Sequence, residues 1–316
     1  MSLAPIILFV YNRPWHTQQT VEALQKNELA SESDLFIFAD GPKPDADEEC
    51  LAKIKEVRQY IHAIDGFKSI TIEESPENKG LANSVIAGVT TIINQFGKVI
   101  VVEDDIVVSP YFLPFMNDAF TKYENNNKVS AISAFVNPIP KPKDSTFFLK
   151  YFACWGWGTW KREWDRFQQN AYILLNGFKS RKSIKMFNID NTVDFFNMLK
   201  YQADGIIDSW AIRFYASSFL NDKLVLYPPK SLVIQKGIGN GTHSNNPKQL
   251  LKRDRMFMAM DTYNYPIKVD TIIIKQDYKM FLEYKGFYKM DNCNLSLRLH
   301  KKIFNFIKRT LHKLFK

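Results

Sequence analysis

Residues 99–108 read VIVVEDDIVV, which is an apolar run, three carboxylates and a second apolar run. A continuous apolar run is typical of a buried parallel strand, because helices cover both of its faces. Three unpaired charges between two buried segments would be very costly, so we expect a cation to neutralise them. A divalent metal held by oxygen ligands is one interpretation, and a strand-end turn with solvated acids is the other.

The chain before this stretch alternates between apolar runs and helical patterns. Residues 5–11 and 35–39 are further buried-strand candidates, and residues 69–73 are a weaker one. The predicted helices between them span residues 15–26, 47–63 and 80–96. This alternation predicts an α/β fold with a mixed, mainly parallel sheet flanked by helices.

The pattern changes after the three carboxylates, and the second half is rich in aromatic residues. A strand is expected at residues 129–135. The helices expected in this half span residues 110–124, 159–176, 190–203, 209–221 and 248–263. We find no clean linker before about residue 290, so we predict one domain over residues 1–290 whose first half carries the sheet.

The net charge of +9 comes mainly from the C-terminal tail, residues 291–316. Seven of the 42 Lys and Arg residues lie within residues 295–316, which hold no acid. On a helix six of these basic residues fall on the half opposite the tail's apolar residues, and Lys313 lies at the border. A basic amphipathic helix is typical of an anchor on an anionic membrane surface, and a helix packed on the body is the alternative. The remaining chain has little basic excess, so nucleic acid is not an expected partner.

Three cysteines, Cys50, Cys154 and Cys293, lie far apart without a CxxC pair. This usage excludes a disulfide scaffold and a zinc-finger framework, and it suits a reducing cytosol. No apolar run reaches about 18 residues, so no transmembrane helix is expected. We therefore predict a cytoplasmic protein that is peripheral at the inner face of the membrane.

Polar clusters follow the apolar runs where each predicted strand ends. Ligands in open α/β sheets bind at the carboxyl ends of the strands, so the chemistry should lie in these clusters. The clusters are Tyr11-Asn12-Arg13, Asp40-Gly41, Asn78-Lys79-Gly80 and Glu103-Asp104-Asp105.

These segments, taken in order, resemble those of GT-A glycosyltransferases related to N-acetylglucosaminyltransferase I. In that family a Glu-Asp-Asp version of the DXD motif is followed by an apolar stretch, a Pro and aromatic residues. Residues 102–112 are similar to this whole segment. Residues 6–13 resemble the first strand and its polar turn ending in Arg. Ala39-Asp40-Gly41 resembles the end of the second strand, and residues 78–82 resemble a loop-to-helix turn common in GT-A enzymes.

The resemblance covers residues 5–135 well and residues 150–245 loosely. It implies the GT-A (Rossmann-like) fold and a metal-dependent, inverting glycosyltransferase. Residues 1–135 would form the nucleotide-sugar-binding half and residues 136–290 the acceptor-binding half. The expected donor is a nucleotide sugar, with UDP as the expected nucleotide, and the expected acceptor is a glycan or lipid-linked glycan.

The resemblance also implies roles for the acidic residues and for Arg13. Asp105 would ligate Mn²⁺ or Mg²⁺ bridging the two phosphates of the donor, a cation that stabilises the departing diphosphate. Glu103 and Asp104 would contact the ribose or orient the site. Arg13 and Asp40 would border the uracil, although Arg13 could instead form a surface ion pair.

Asn78 and Asp40 could also have purely structural roles in their loops. Asn78 stands where the relatives often have a His or Asn near the nucleotide, but the segment could merely cap the helix after Gly80. Asp40-Gly41 could be a plain turn. Gly80 could serve both purposes by letting the backbone approach a ligand.

An inverting transferase needs a base that deprotonates the acceptor hydroxyl. Residues 205–210 resemble the relatives' Asp-Asp-Trp segment, with Asp208 at the first acid and Ser209 replacing the second. Asp208 is therefore the predicted catalytic base, with a helix cap as the alternative. Glu163 and Asp165 are weaker candidates, because a solvated helix face explains them as well.

Two other segments are candidates for donor contacts. Residues 151–160 read YFACWGWGTW, and the relatives have a Gly-rich, Trp-containing segment here, which makes Trp157 a predicted donor contact and a core position the alternative. The Gly- and Asn-rich stretch 237–247 predicts a loop that closes over the donor, with His243 reaching the metal or the diphosphate.

Two other functions remain open from the sequence alone. A nucleotidyltransferase would share the sheet and the metal but would need a Gly-rich, basic loop after the first strand, which residues 12–15 do not resemble. A non-catalytic glycan- or membrane-binding protein would not need the intact acids at residues 103–105.

Overall fold

The computed structural model describes residues 2–237, 252–270 and 272–289. Ten strands are present in this part of the chain. They are β1 (Ile6–Val10), β2 (Asp34–Ala39), β3 (Ser69–Glu74), β4 (Lys98–Glu103), β5 (Ile106–Val108), β6 (Val129–Ser133), β7 (Phe147–Leu149), β8 (Trp157–Trp160), β9 (Leu224–Tyr227) and β10 (Val233–Gln235).

Eight of these strands form the central sheet in the order β3-β2-β1-β4-β8-β6-β9-β7. The first four are parallel to one another. Strand β8 lies between β4 and β6 and is antiparallel to both, whereas β9 is parallel to β6. Strand β7 is antiparallel to β9 at the edge. The predicted mixed, mainly parallel sheet is therefore confirmed.

Helices connect the strands and cover the sheet, which completes the predicted α/β architecture. The α-helices of the described residues are α1 (Pro14–Gln25), α2 (Glu48–Ile61), α3 (Leu81–Phe96), α4 (Phe112–Lys122), α5 (Lys161–Trp164), α6 (Ala171–Gly177), α7 (Arg181–Phe187), α8 (Phe195–Ala203), α9 (Trp210–Leu220), α10 (Lys252–Met258) and α11 (Tyr278–Lys289).

Local sequence explains the ends of the first helices. Asp47 caps α2 by accepting a hydrogen bond from the backbone N–H of Cys50. Helix α3 ends at Gly97, whose φ of +75° suits glycine and whose N–H donates to the carbonyl of Ile93. Gly88 lets α3 lie against β1, because a Cβ there would be 2.9 Å from the ring of Phe9.

The second half departs from the sequence-based expectations. It also contributes strands to the central sheet, namely β7, β8 and β9. The single helix predicted at residues 159–176 is wrong, because that region begins in β8 and then forms the separate helices α5 and α6. The helix predicted at residues 190–203 begins only at Phe195, because residues 189–191 all have positive φ angles.

A second, two-stranded sheet joins the two halves next to the acidic stretch. Strands β5 and β10 pair antiparallel, with Gln235 opposite Ile106. Since β5 directly follows the three carboxylates, this pairing brings the end of β10 to them. Within the described ranges, no helix combines the length and apolar character needed to cross a membrane.

Candidate functional site

The carboxyl ends of β1 to β4 meet at one edge of the sheet, as the sequence predicted from their parallel order. Phe9 is opposite Glu103 in the β1–β4 pair, and Val10 is opposite Ala39 in the β1–β2 pair. The polar residues that follow these strands therefore lie on a common edge. They form two clusters, one around the carboxylates and one around Asp40.

The three carboxylates lie where β4 passes into β5. Glu103 is the last residue of β4, and Asp104 and Asp105 form the buried turn before β5. The hydroxyl of Thr20 on α1 donates to the backbone carbonyl of Asp104 at 2.9 Å. The backbone N–H of Lys236 donates to the carbonyl of Asp105 at 2.8 Å. The turn is thus fixed from both halves of the chain.

Arg13 supplies a positive charge to this turn. Its Nη1 lies 2.8 Å from Oδ2 of Asp105 and 3.5 Å from Oδ1 of Asp104. The ion pair that the sequence left open for Arg13 is therefore present, but its partners are the acidic cluster. Arg13, Asp104 and Asp105, which were predicted to act in one site, therefore lie in contact.

One guanidinium does not balance three carboxyl groups. Burial, and then the charge of Asp105, raise the pKa of Glu103 to about 8 and that of Asp104 to about 7. Arg13 opposes these shifts without cancelling them. Additional positive charge would therefore be stabilised at this turn.

Gln235, which sequence reasoning missed, also contacts the cluster. Its Nε2 donates to Oδ2 of Asp105 at 2.9 Å. Gly237 packs against the same oxygen so closely that a Cβ there would lie 2.2 Å from it. No sequence signal could have found Gln235, because 130 residues separate it from Asp105 and only the β5–β10 pairing brings them together.

His16 is the second residue that sequence reasoning missed. Burial and the charge of Arg13 lower the pKa of its imidazole, whereas Asp105 and the backbone of Lys236 raise it. Its Nε2 is buried and has no hydrogen-bond partner in the described part of the chain. Its position could have indicated it, since His16 lies in the first turn of α1 and Arg13 is the residue directly before that helix.

Asp40 and Asn78 form the second cluster. The carboxylate of Asp40 accepts four N–H groups, a number that uses about all of its lone-pair positions. The donors are the backbone N–H of Gly41 at 2.9 Å, of Lys79 at 2.8 Å and of Gly80 at 3.0 Å, and Nδ2 of Asn78 at 3.0 Å. Asp40 thus ties the loop after β2 to the loop before α3.

Gly41 is required by this arrangement. A Cβ at this position would lie 2.5 Å from the backbone carbonyl carbon of Glu77, so the two loops touch through backbone. Nδ2 of Asn78 also donates to the carbonyl of Gly41 at 3.0 Å. The predicted neighbourhood of Asp40 and Asn78 is therefore present, and its immediate role is to hold the two loops together.

Trp157 lies in the core, which is the alternative that the sequence left open beside its predicted donor contact. Its side chain is fully buried, and its ring stacks on Trp210 with centroids 4.9 Å apart. It is the first residue of β8, where it lies opposite Val101 of β4. Cys154, earlier in the same segment, is nearer the site, since burial and then the charge of Glu103 raise the pKa of its thiol.

Asp208 precedes helix α9 and is exposed, with 54% of its side chain accessible. It pairs with Nη2 of Arg213 at 3.0 Å, and the cap of α9 is Ser209. Of the weaker candidates, Glu163 is buried against Lys223 at 3.2 Å, and Asp165 pairs on the surface with Lys161. The predicted contact of His243 and the tail at residues 291–316 lie outside the described residues.

Comparison with known proteins does not assign a family. The chain matches no protein-family model, and no curated protein matches it. It is similar to a UDP-glucose pyrophosphorylase solved in complex with UDP-glucose, with 12% identity and a TM-score of 0.35 over 71% of this chain and 90% of that one.

Two further solved structures are similar at the same level. S. aureus TarS is 13% identical with a TM-score of 0.38, over 81% of this chain and only 42% of TarS. An active-site mutant of LgtC is 12% identical with a TM-score of 0.35, over 89% of this chain and 95% of that one. These values are too low to assign a function, so the class that the structure itself defines is a mixed α/β protein with an acidic edge.

Proposed function

We propose that this protein is a GT-A glycosyltransferase that moves a sugar from a nucleotide sugar, with UDP as the expected nucleotide, to a hydroxyl of a glycan or lipid-linked glycan. The observation that carries the proposal is the incompletely neutralised acidic turn at the carboxyl end of β4, in which Asp104 and Asp105 are buried beside Glu103. This is the edge at which open α/β sheets bind ligands. The resemblance of the surrounding segments to GT-A enzymes supports the same function.

The chemistry of the turn fits a hard divalent cation. Carboxylate oxygens are ligands that Mn²⁺ and Mg²⁺ prefer. A further oxygen nearby is the buried Oε1 of Gln235, which has no hydrogen-bond partner among the residues that the structure describes. Among the described residues, no three His, Cys, Asp or Glu side chains are already arranged to hold a metal. Asp105 is the proposed ligand, and Arg13 must release its Oδ2 or share the carboxylate for the cation to bind.

A bound cation would neutralise charge that develops on the departing nucleoside diphosphate. In our proposal Arg13, Glu103 and Asp104 contact the donor, and Asp40 and Asn78 shape the loops that border it. Trp157 supports these elements from the core. His243 remains a proposed donor contact.

Asp208 is the proposed base of an inverting transfer. It would take the proton of the acceptor hydroxyl while the acceptor oxygen bonds to the anomeric carbon and the bond from that carbon to the diphosphate breaks. Its exposure leaves it accessible to an acceptor, and its neighbour Trp210 packs on β8 of the central sheet. Asp208→Asn should lower kcat strongly and leave the Kd of the nucleotide sugar unchanged.

Residues 1–290 would form the catalytic domain, with the donor half at 1–135 and the acceptor half at 136–290. The basic, amphipathic sequence of residues 295–316 supports a peripheral, cytoplasmic site at the inner membrane face. Sedimentation with vesicles tests this location. The protein should bind vesicles rich in anionic lipid, and substitution of the tail's Lys and Arg residues by Gln should abolish the binding.

The experiment that tests the function is donor hydrolysis with Mn²⁺ across UDP-, GDP-, CMP- and dTDP-sugars. We expect release of one nucleotide, and its loss with EDTA and in Asp105→Ala. A parallel assay with nucleoside triphosphates and sugar 1-phosphates tests the nucleotidyltransferase alternative, since that reaction releases pyrophosphate. Pyrophosphate release without transfer from any nucleotide sugar would reject our proposal.

A further inference from the structure

Gln235 presents two different faces to the candidate site. Its Nε2 donates to Oδ2 of Asp105 at 2.9 Å, whereas its Oε1 is buried and has no hydrogen-bond partner in the described part of the chain. Buried polar atoms are nearly always paired, so an unpaired one in a native site calls for a missing water, ion or ligand. Here that atom is an acceptor.

The orientation of the amide follows from its neighbour. If the amide were reversed, Oε1 would face the carboxylate of Asp105, and two acceptors would meet without a proton between them. The carboxylate therefore requires Nε2 on its side and leaves Oε1 on the other. The backbone holds the residue there, because Gln235 pairs with Ile106 and the next N–H, that of Lys236, donates to the carbonyl of Asp105.

A second unpaired atom is found at the same site. Nε2 of His16 is also buried without a partner among the described residues, and the charge of Asp105 acts on that imidazole. His16 reaches the site from α1 and Gln235 from β10. Oε1 of Gln235 and Nε2 of His16 are thus two polar atoms, from different elements, that a polar ligand bound near Asp105 would satisfy.

We propose that Gln235 is a ligand-contact residue whose Oε1 accepts a hydrogen bond from a hydroxyl of the bound nucleotide sugar or from a metal-bound water. This inference rests on the proposed function. It gives the residue two roles, since Nε2 holds Asp105 while Oε1 recognises the ligand. The end of β10 would thereby contribute directly to donor binding, although it lies 130 positions along the chain from Asp105.

Two substitutions separate these roles. Gln235→Met has a similar shape but has neither the amide N–H nor the oxygen. Gln235→Lys keeps an N–H donor for Asp105 and removes the oxygen acceptor. If Oε1 contacts the ligand, both variants should weaken binding about tenfold, the scale of one lost hydrogen bond.

Calorimetric titration of the full chain identifies the source of the hydrogen bond. The probes are Mn²⁺ alone, UDP with Mn²⁺, and UDP-glucose or UDP-N-acetylglucosamine with Mn²⁺. Weaker binding of Mn²⁺ alone to Gln235→Met supports a metal-bound water. Weaker binding that is confined to the UDP-sugars supports a sugar hydroxyl. Loss of binding in Gln235→Met that Gln235→Lys restores limits Gln235 to holding Asp105 and overturns the inference.

Gln25→Met is the matched control, because Gln25 also donates to an aspartate, Asp65, but lies at the other end of α1. It should bind every probe as the wild type does. Unchanged binding in Gln235→Met, with a wild type that binds, overturns this inference alone. A wild type that binds no nucleotide in Mn²⁺ overturns the proposed function and this inference with it.

Discussion

Arg13 provides the cationic group that directly contacts Asp105, so its removal should expose how strongly the carboxylates depend on it. In EDTA, Arg13→Met should lower the free energy of unfolding by about 2 kcal/mol, because it leaves partly buried acids without a partner. Mn²⁺ should reduce this loss by supplying positive charge to the same turn. Chemical denaturation with and without Mn²⁺ measures both effects.

The control for Arg13 is Arg166→Met. The Arg166 guanidinium is half exposed and lies 4.0 Å from Glu163, so its loss should change stability by about 0.5 kcal/mol or less. Equal, small losses in the two variants would show that Arg13 does not neutralise the turn.

Asp40 should matter for stability as well as for any ligand. Asp40→Ala removes the acceptor of four N–H groups, three of them from the backbone, and we expect a loss of about 3 kcal/mol in the free energy of unfolding. Asp45, an exposed acid in the same loop, is the control, and Asp45→Ala should cost about 0.5 kcal/mol or less. A loss in Asp40→Ala no larger than this control would contradict the loop-holding role.

Individual residues were predictable where they follow a recognisable strand. Arg13, Asp40, Asn78 and the acids could be placed at one edge, because parallel strands end together. Their contacts could not be predicted, since whether Arg13 pairs with Asp40 or Asp105 depends on side-chain geometry. Gln235 could not be predicted either, because no local sequence pattern indicates which distant strand pairs with β5.

At the level of elements, β8 separates the parallel first half of the sheet from β6, and Trp157 anchors it in the core. Trp157→Phe should lower the free energy of unfolding by about 1–3 kcal/mol, because a smaller ring leaves a cavity beside Trp210. The Kd for a nucleotide sugar should stay within about twofold of the wild type, a change below 0.5 kcal/mol. Denaturation and titration of the same preparation measure the two quantities.

Trp15 offers the comparison for this element, since its side chain is mostly exposed. Trp15→Phe should leave stability nearly unchanged. A Trp157→Phe protein with normal stability and weakened donor binding would restore the donor-contact role that the sequence suggested and reject the core role.

The elements of the first half were predicted closely, as was the later helix expected at residues 209–221, whereas most other elements of the second half were not. Strands β1 to β4 are apolar runs or alternating segments with helices between them, and both patterns are local. Strands β7 to β10 have only three or four residues each, and long-range pairing stabilises them. The segment 157–160 has no distinctive periodicity, so its aromatic residues were equally compatible with the helix predicted from residue 159.

For the whole molecule, the raised pKa values of Glu103 and Asp104 predict how stability depends on pH. Both values, about 8 and about 7, exceed those of the unfolded chain, so the folded state binds more protons between about pH 4 and 8. The free energy of unfolding contributed by these groups should therefore fall as pH rises through this range. Glu103→Gln should flatten the fall in EDTA.

Denaturation curves at pH 5, 6, 7 and 8 in EDTA provide the test. Arg13 and Asp105 face these carboxyls and are unchanged in the variant, and the buried Glu163, whose pKa is also raised, is common to both proteins. Parallel profiles of unfolding free energy against pH for wild type and Glu103→Gln would show that burial does not raise the pKa of Glu103.

The most direct test of the proposed donor site is whether UDP binding depends on Mn²⁺ and on Asp105. Calorimetry measures UDP binding to the wild type and to Asp105→Asn, each with and without Mn²⁺. We predict that the wild type binds UDP in Mn²⁺ and loses this binding in EDTA, and that folded Asp105→Asn does not bind it in either condition. UDP that binds equally well to both proteins, or independently of Mn²⁺, would contradict the assignment of Asp105 as the metal ligand of a nucleotide-sugar site.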